Sequence, residues 1–270
     1  MSKRIPFILL LSLCAHLTSA QKGLELGGWL GSSHYFGDLK TEFSLNEPGL
    51  AIGIAGRYNF NERIAAKASF NVGHVRGDDS DSNNTFERER NLNFSSRILD
   101  LSTQLEFNFL PYIHGSSDDF FTPYIFAGIS GFSYSPKTEM DGNTFTLRLF
   151  GTEGQAIGEE YGKFALAVNL GLGVKWDINV DWSINIEVGM RATGTDYIDD
   201  VSTIYPDLDL LASIRGQTAV DLSNRSLIPG VGVSGRQRGN SANNDNYVFI
   251  GIGIMRFFGQ LPCPKIVKDR

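Results

Sequence analysis

Eight charged side chains recur at alternate positions within apolar or small-residue runs: Arg57, Lys67, Asp100, Glu106, Lys175, Asp177, Glu187 and Arg191. Charges of both signs in a narrow, low-dielectric space must pair with each other and with hydrogen-bonding neighbours. Such a set can be a structural plug or a path for protons or ions, and the mixture of signs favours the plug. A second constellation, Ser33-His34 with Asp199-Asp200, imitates a membrane protease or acyltransferase. That chemistry needs a base within hydrogen-bond reach of its nucleophile. Isolated histidines at His34, His74 and His114 and aspartates in loops are usually solvated, so the chain reads as a non-enzyme with no catalytic residues. Asp78, Asp79, Asp81, Asn83 and Asn84 loosely imitate a calcium loop. Its turn glycine is replaced by Asn84 and its closing glutamate by Arg90, which points to a solvated outer loop instead of a metal site. No cofactor is expected.

These charges need a scaffold with a two-residue period. Between Phe164 and Thr193, Leu166, Val168, Leu170, Leu172, Val174, Trp176 and Ile178 share one face. Asn169, Gly171, Gly173, Lys175 and Asp177 share the other. After Asn179 to Asp181 the alternation restarts, with Trp182, Ile184, Ile186, Val188 and Met190 against Ser183, Asn185, Glu187, Gly189 and Arg191. A period of two marks strands, and the short Asn/Asp connection marks an antiparallel hairpin. The polar face mixes glycine and alanine with charges of both signs, as an enclosed lumen requires. Trp176 and Trp182 flank the turn on the apolar face, where a membrane interface holds aromatics. Strands of about 12 residues can cross a bilayer core of roughly 30 Å.

The same alternation predicts Gly23 to Phe36, Gly49 to Phe60, a strand from Ile64, one around Leu99 to Phe109, Phe121 to Tyr134, and Tyr247 to Phe258. The facing of the Phe121 strand stays open, because Ile125 and Ile129 oppose Tyr124 and Phe126. The fold expected is all-β: an eight-stranded antiparallel transmembrane barrel of the outer-membrane type spanning 21–258. Connections at 59–62, 111–119 and 179–181 are short. Those at 37–48, 76–93, 135–163 and 195–246 are long, polar and rich in Gly, Asn and Asp, with Leu208 to Ile214 a short helix or strand. Long extracellular loops and short periplasmic turns place both termini in the periplasm.

Targeting fits this architecture. Lys3 and Arg4, the apolar run Ile5 to Cys14 and the small residues Thr18-Ser19-Ala20 describe a signal peptide over 1–20. Its removal takes two positive charges and no acid, so a net charge of −6 becomes −8. The acidic excess, with no basic face to replace counterions, argues against a nucleic-acid partner. Only Cys263 remains after processing, so no intrachain disulfide is available.

Two stretches go beyond a generic barrel: Leu24 to Leu39, LELGGWLGSSHYFGDL, and Thr195 to Tyr205, TDYIDDVSTIY. Together with the Cys263-Pro264-Lys265 tail they resemble the PorG family of Bacteroidota outer-membrane barrels, over essentially the whole mature chain. The resemblance implies a part in the type IX protein secretion system, which is linked to gliding motility in some members. It also implies partners: outer-membrane lipids, and a periplasmic ring lipoprotein with its partner subunit. The alternatives are an OmpW-like or OmpA-like small barrel for solute passage or envelope stability, and an outer-membrane hydrolase. On the periplasmic side the available charges are His114, Asp118 and Asp119 in the 111–119 turn and Lys265 and Lys268 in the tail over 259–270. These are the candidate partner-binding residues.

Overall fold

The computed structural model describes residues 23–42, 45 and 47–259. The signal peptide expected over 1–20, Cys263, Lys265 and Lys268 lie outside the described residues. No described helix is long and apolar enough to cross a membrane, so any crossing falls to strands. These are β1 (Gly23–Phe36), β2 (Gly49–Asn59), β3 (Ile64–Asp78), β4 (Asn93–Asn108), β5 (Phe121–Ser133), β8 (Phe164–Asp177), β9 (Trp182–Thr193) and β10 (Asn246–Gly259). Two shorter strands, β6 (Pro136–Met140) and β7 (Asn143–Thr146), lie between β5 and β8. Neighbouring long strands pair antiparallel in the order β3-β2-β1-β10-β9-β8-β5-β4, and a β3–β4 ladder closes the ring. Closure leaves no unpaired edge among the eight, which a strand wall in lipid requires.

The hydrophobic pattern fixes which face looks out, because a slip of one residue would exchange the two faces. Leu50, Ile52, Ile54, Leu101, Leu105, Leu170, Leu172, Ile186 and Ile252 are all exposed on the exterior. A continuous apolar belt of this kind suits lipid and not water. Trp176 and Trp182 are exposed at one end of the belt. The strand of open facing resolves with Ile125 and Ile129 outward and Tyr124, Phe126 and Phe132 buried inside. An arginine at Leu105, 62% exposed on the belt, should cost about 2–4 kcal/mol if it lies near the bilayer midplane. Arginine at inward Ser102 should act through packing and ion pairing instead. Urea unfolding in lipid vesicles separates the two, and equal losses at matched depth would overturn the facing.

The end with the longer connections is more structured than a set of polar loops. Within 135–163, β6 and β7 form a hairpin that extends the wall above β4 through Ser95↔Lys137 and Ser96↔Pro136. Its turn, Asp141-Gly142, has both residues at positive φ, 51° and 75°, as a tight hairpin turn demands. Within 76–93, β3 continues to Asp78 and β4 starts at Asn93, leaving room for the short helix α1 (Thr85–Arg90). Asn84 caps α1 by accepting from the Phe86 N–H at 3.0 Å, and Asn91 ends it in the left-handed region. The segment at Leu208 is helical: α2 (Leu208–Arg215) is capped by Asp207 and followed by α3 (Gln217–Ser223). These pieces bury Leu39, Leu92, Leu147, Ile198, Val201 and Leu222 against Tyr35, Phe94, Phe132, Tyr247 and Phe249 of the barrel. The apolar core therefore sits at the wide-loop mouth, as a lid.

Candidate functional site

At the short-turn end the lumen is filled by charge. Arg57 on β2 reaches Glu25 on β1 at 3.0 Å and Glu106 on β4 at 2.8 Å. Lys175 on β8 lies 2.7 Å from Glu106 and 3.0 Å from Asn108 Oδ1. Lys67 on β3 pairs with Glu187 on β9, whose carboxylate also accepts from the Tyr124 hydroxyl at 2.7 Å. Asn59 donates to Glu25 at 2.6 Å, and Tyr112 donates to Asp177. Arg57, Lys175, Glu25 and Glu106 are essentially without solvent contact. At such a site a buried carboxylate stays charged only because several donors converge on it.

His114 closes this network, and its position corrects the expectation of a solvated rim histidine. The turn between β4 and β5 folds into the mouth. His114 Nε2 lies 3.3 Å from Glu25 and Nδ1 lies 3.0 Å from Asp177. Its ring stacks on Phe257 at 4.2 Å between centroids. Burial alone would lower its pKa, but hydrogen bonds to Asp177 and Glu25 outweigh that and raise it to about 9. The charges then balance: Arg57, Lys67, Lys175 and His114⁺ face Glu25, Glu106, Asp177 and Glu187. Arg191 and Asp100 make a separate, looser pair at 3.8 Å, with Asp100 also held by Asn71 at 2.6 Å and by Tyr247 at 2.8 Å. All eight inward charges expected from the sequence thus lie in ion pairs. Glu25 and His114 are the members the sequence reading left out of the set.

Above the plug, Trp29 crosses the lumen and donates to Asn71 at 2.8 Å. It fits because Gly53 and Gly251 stand beside it. A β-carbon at either would lie 2.2 Å and 2.5 Å from the indole, closer than packed atoms tolerate. The space left between Trp29, Arg57, Lys67, Asn71, Glu187 and Arg191 is a cavity of about 40 Å³, room for one or two waters.

At the other mouth, aspartates expected to be solvated are buried instead. Asp199 accepts from the Tyr35 hydroxyl at 2.6 Å and from the Leu39 and Val201 N–H groups at 3.2 and 2.8 Å. Asp245, just before β10, accepts from the same hydroxyl at 2.7 Å and from the Ile198 N–H at 2.8 Å. Asp200, at φ 72°, accepts from Tyr161 at 2.5 Å and from Thr152, beside Arg238. Burial pushes Asp200 up to about 6 against the pull of Arg238. Ser33 donates to the His74 carbonyl, and His34 meets Ser32 at 2.9 Å. Among the described residues no hydrogen bond joins Ser33, His34, Asp199 and Asp200 into one site. The calcium-like stretch is also built in: Asp79 is buried and takes two hydrogen bonds from Arg90, at 2.8 and 2.7 Å. The arginine at the closing position supplies the cation.

The sequence matches the model of a family described as a domain of unknown function, DUF6089, over residues 3–217. The chain belongs to that family. No curated protein matches it in sequence. Among solved structures, Ail of Yersinia pestis is similar at 8% identity and a TM-score of 0.43, covering 88% of this chain and 99% of its own. Neisserial surface protein A is 8% identical with a TM-score of 0.45, covering 87% and 97%. OprG of Pseudomonas aeruginosa is 9% identical with a TM-score of 0.42, covering 90% and 98%.

In this DUF6089 barrel the residues singled out for partner contact separate. Asp118 is exposed and Asp119 half-buried, both shaped by their N–H groups donating to Ser116 Oγ at 3.2 and 3.0 Å. His114 is spent on the plug. Around the same rim Phe109, Leu110, Phe120, Ile178 and Val180 are exposed, so the two aspartates stand beside an apolar edge.

Proposed function

We propose that this chain is a non-enzymatic outer-membrane barrel of the type IX secretion system, PorG-like, that attaches a periplasmic lipoprotein ring and its partner subunit to the membrane. The observation that carries this reading is a lumen filled at both ends, by the ion-pair plug and by the loop lid. A barrel sealed in this way offers surfaces to other proteins and not a passage or a reaction chamber. With the long-loop end outside, the Asp118-Asp119 turn and the chain beyond Phe258 face the periplasm. Bacteroidota with this machine, gliding species included, are where such a role belongs.

Copurification from detergent-solubilised envelopes tests it. Asp118→Lys with Asp119→Lys, or deletion of Leu261 to Arg270, should leave the barrel inserted and weaken ring recovery and secretion. Shortening 76–93 should matter much less. The opposite pattern would invert the topology. The OmpW-like or OmpA-like reading is separated by planar-bilayer recording: a plugged lumen predicts no steady conductance, whereas large steady currents would favour solute passage.

A further inference from the structure

A groove of about 700 Å³ opens on the outside of the barrel at the long-loop end, among β3, β4, β5, β8 and the β6–β7 hairpin. Its cationic lining is Arg97, Lys137, Arg148 and Lys163, with His74 beside them, and no carboxylate lines it. In a chain of net charge −6 this is a local reversal of sign. The strand registers assemble it. His74 pairs across to Arg97, Lys137 stands opposite Ser95 two residues further along, and the Lys163 carbonyl accepts the Tyr134 N–H at 3.1 Å. Arg148 anchors its Nε on the Tyr161 carbonyl at 2.5 Å and lines the groove. None of the five has an ion-pair partner among the described residues. Four unpaired cations gathered at one groove repel one another, and an anion relieves that cost.

The position of the groove selects the anion. The next row toward the belt is Leu99, Ser133 and Phe164, paired in that order. Phe164 is 79% exposed, and below it Leu166 and Leu101 are 75% and 63% exposed. Arg97 lies two residues above Leu99 on the same face, about 7 Å at a strand rise of 3.3–3.4 Å per residue. Cations one step above an apolar wall are placed for a molecule with phosphate at its head and acyl chains below. Arginine offers a flat fork of donors to phosphate, and lysine a mobile point charge.

We infer that this groove binds the phosphorylated headgroup of an outer-leaflet glycolipid, with Arg97, Lys137, Arg148 and Lys163 on phosphate and Phe164 and Leu99 against the first acyl carbons. The assignment to the outer leaflet rests on the proposed orientation, with the long-loop end outside.

The test uses the full mature chain refolded in detergent, with bound lipid read by native mass spectrometry. Bisphosphorylated lipid A should bind the wild type, and Arg97→Glu with Lys163→Glu should weaken it at least about tenfold, the scale of losing one or two charged hydrogen bonds. Both side chains are exposed, so the variant should refold, which heat-modifiable gel mobility verifies. Lys163→Arg should keep binding. Equal binding of dephosphorylated lipid A, or unchanged binding by the double-charge variant, overturns the inference. Inorganic phosphate competing at the lipid's own concentration would assign the site to a free anion and overturn the lipid. Orientation is read separately in cells, from labelling of Lys137→Cys in a Cys263→Ser background by an impermeant maleimide. Labelling supports an outer-leaflet ligand. Protection alongside intact binding in detergent would overturn the orientation and, with it, the outer-leaflet assignment.

Discussion

Replacing Arg57 by methionine will destabilise the barrel by about 3–5 kcal/mol, the range for breaking a buried ion pair from one side. The reason is geometric. Arg57 touches two carboxylates, Glu25 at 3.0 Å and Glu106 at 2.8 Å, and both are buried. Glu106 keeps Lys175 at 2.7 Å, but Glu25 is left with Asn59 and His114. The loss is therefore the desolvation of a stranded carboxylate and not the net worth of a pair. Removing the stranded charge as well should recover part of it, so Arg57→Met with Glu25→Gln should be more stable than Arg57→Met alone. Urea midpoints in lipid vesicles, followed by tryptophan fluorescence, give the comparison. A single variant within about 0.5 kcal/mol of wild type would mean that water screens the lumen, and the plug would no longer seal it.

The strand content and the facing of the barrel were legible because lipid and lumen impose opposite chemistry on alternate residues. That contrast is strong enough to read from Leu99 to Phe109 in one pass. It weakens where both faces are apolar, as in Phe121–Ser133, because inward Tyr124 and Phe126 look like lipid-facing aromatics until their partners are known. The charge set was legible in kind but incomplete. Glu25 already lay on the inward phase of the first strand. Adding it to the eight gives five acids against four bases, and that surplus demands another cation. His114 was the histidine available at the same end. What hid it was a turn that reads as polar and solvated, and the local sequence does not say that a turn folds inward.

The lid was less legible for a related reason. Its core is assembled from single apolar residues far apart in sequence, such as Leu39, Leu147, Ile198 and Leu222, each inside a polar loop with no periodicity. One local signal did exist. Asp141-Gly142 between short alternating runs is a hairpin turn pair, and it marks the β6–β7 hairpin. The Tyr-Ile-Asp-Asp stretch was singled out by resemblance, and its two aspartates as an imitation of a catalytic constellation. The structure supplies its physical role: Ile198 enters the lid core, Asp199 ties its loop to Tyr35 of β1 and to Leu39, and Asp200 ties it to Thr152 and Tyr161 of the 135–163 connection.

That tie makes the lid sensitive to pH, and raising the pH from 5 to 8 should loosen it. The Tyr35 hydroxyl has one proton to give, yet it lies 2.6 Å from Asp199 and 2.7 Å from Asp245. Asp38 adds a third nearby carboxyl, and Arg90 is the cation whose field reaches Asp199. Burial is the main cause that holds both aspartates above the ordinary value of 3.8, with Asp245 at about 7 and Asp199 shifted in the same direction, further raised by the charge of Asp245. The folded lid therefore keeps a proton that the unfolded chain releases above about pH 4. For Asp245 this stability is complete at or below that pH, falls as pH climbs toward 7 and is flat beyond it, and Asp199 contributes a loss of the same sign. From 3.8 to about 7 the integrated loss for Asp245 alone is about 4 kcal/mol, felt in the lid and not in the strand ladders. Hydrogen exchange of the Ile198 and Val201 amides, corrected for intrinsic rates, should show less protection at pH 8 than at pH 5. Asp245→Asn keeps a neutral group beside Tyr35 and should flatten the difference. Protection that rises with pH in the wild type would mean that both carboxylates are ionised and held by Arg90, and the shared proton at Tyr35 would have to be abandoned.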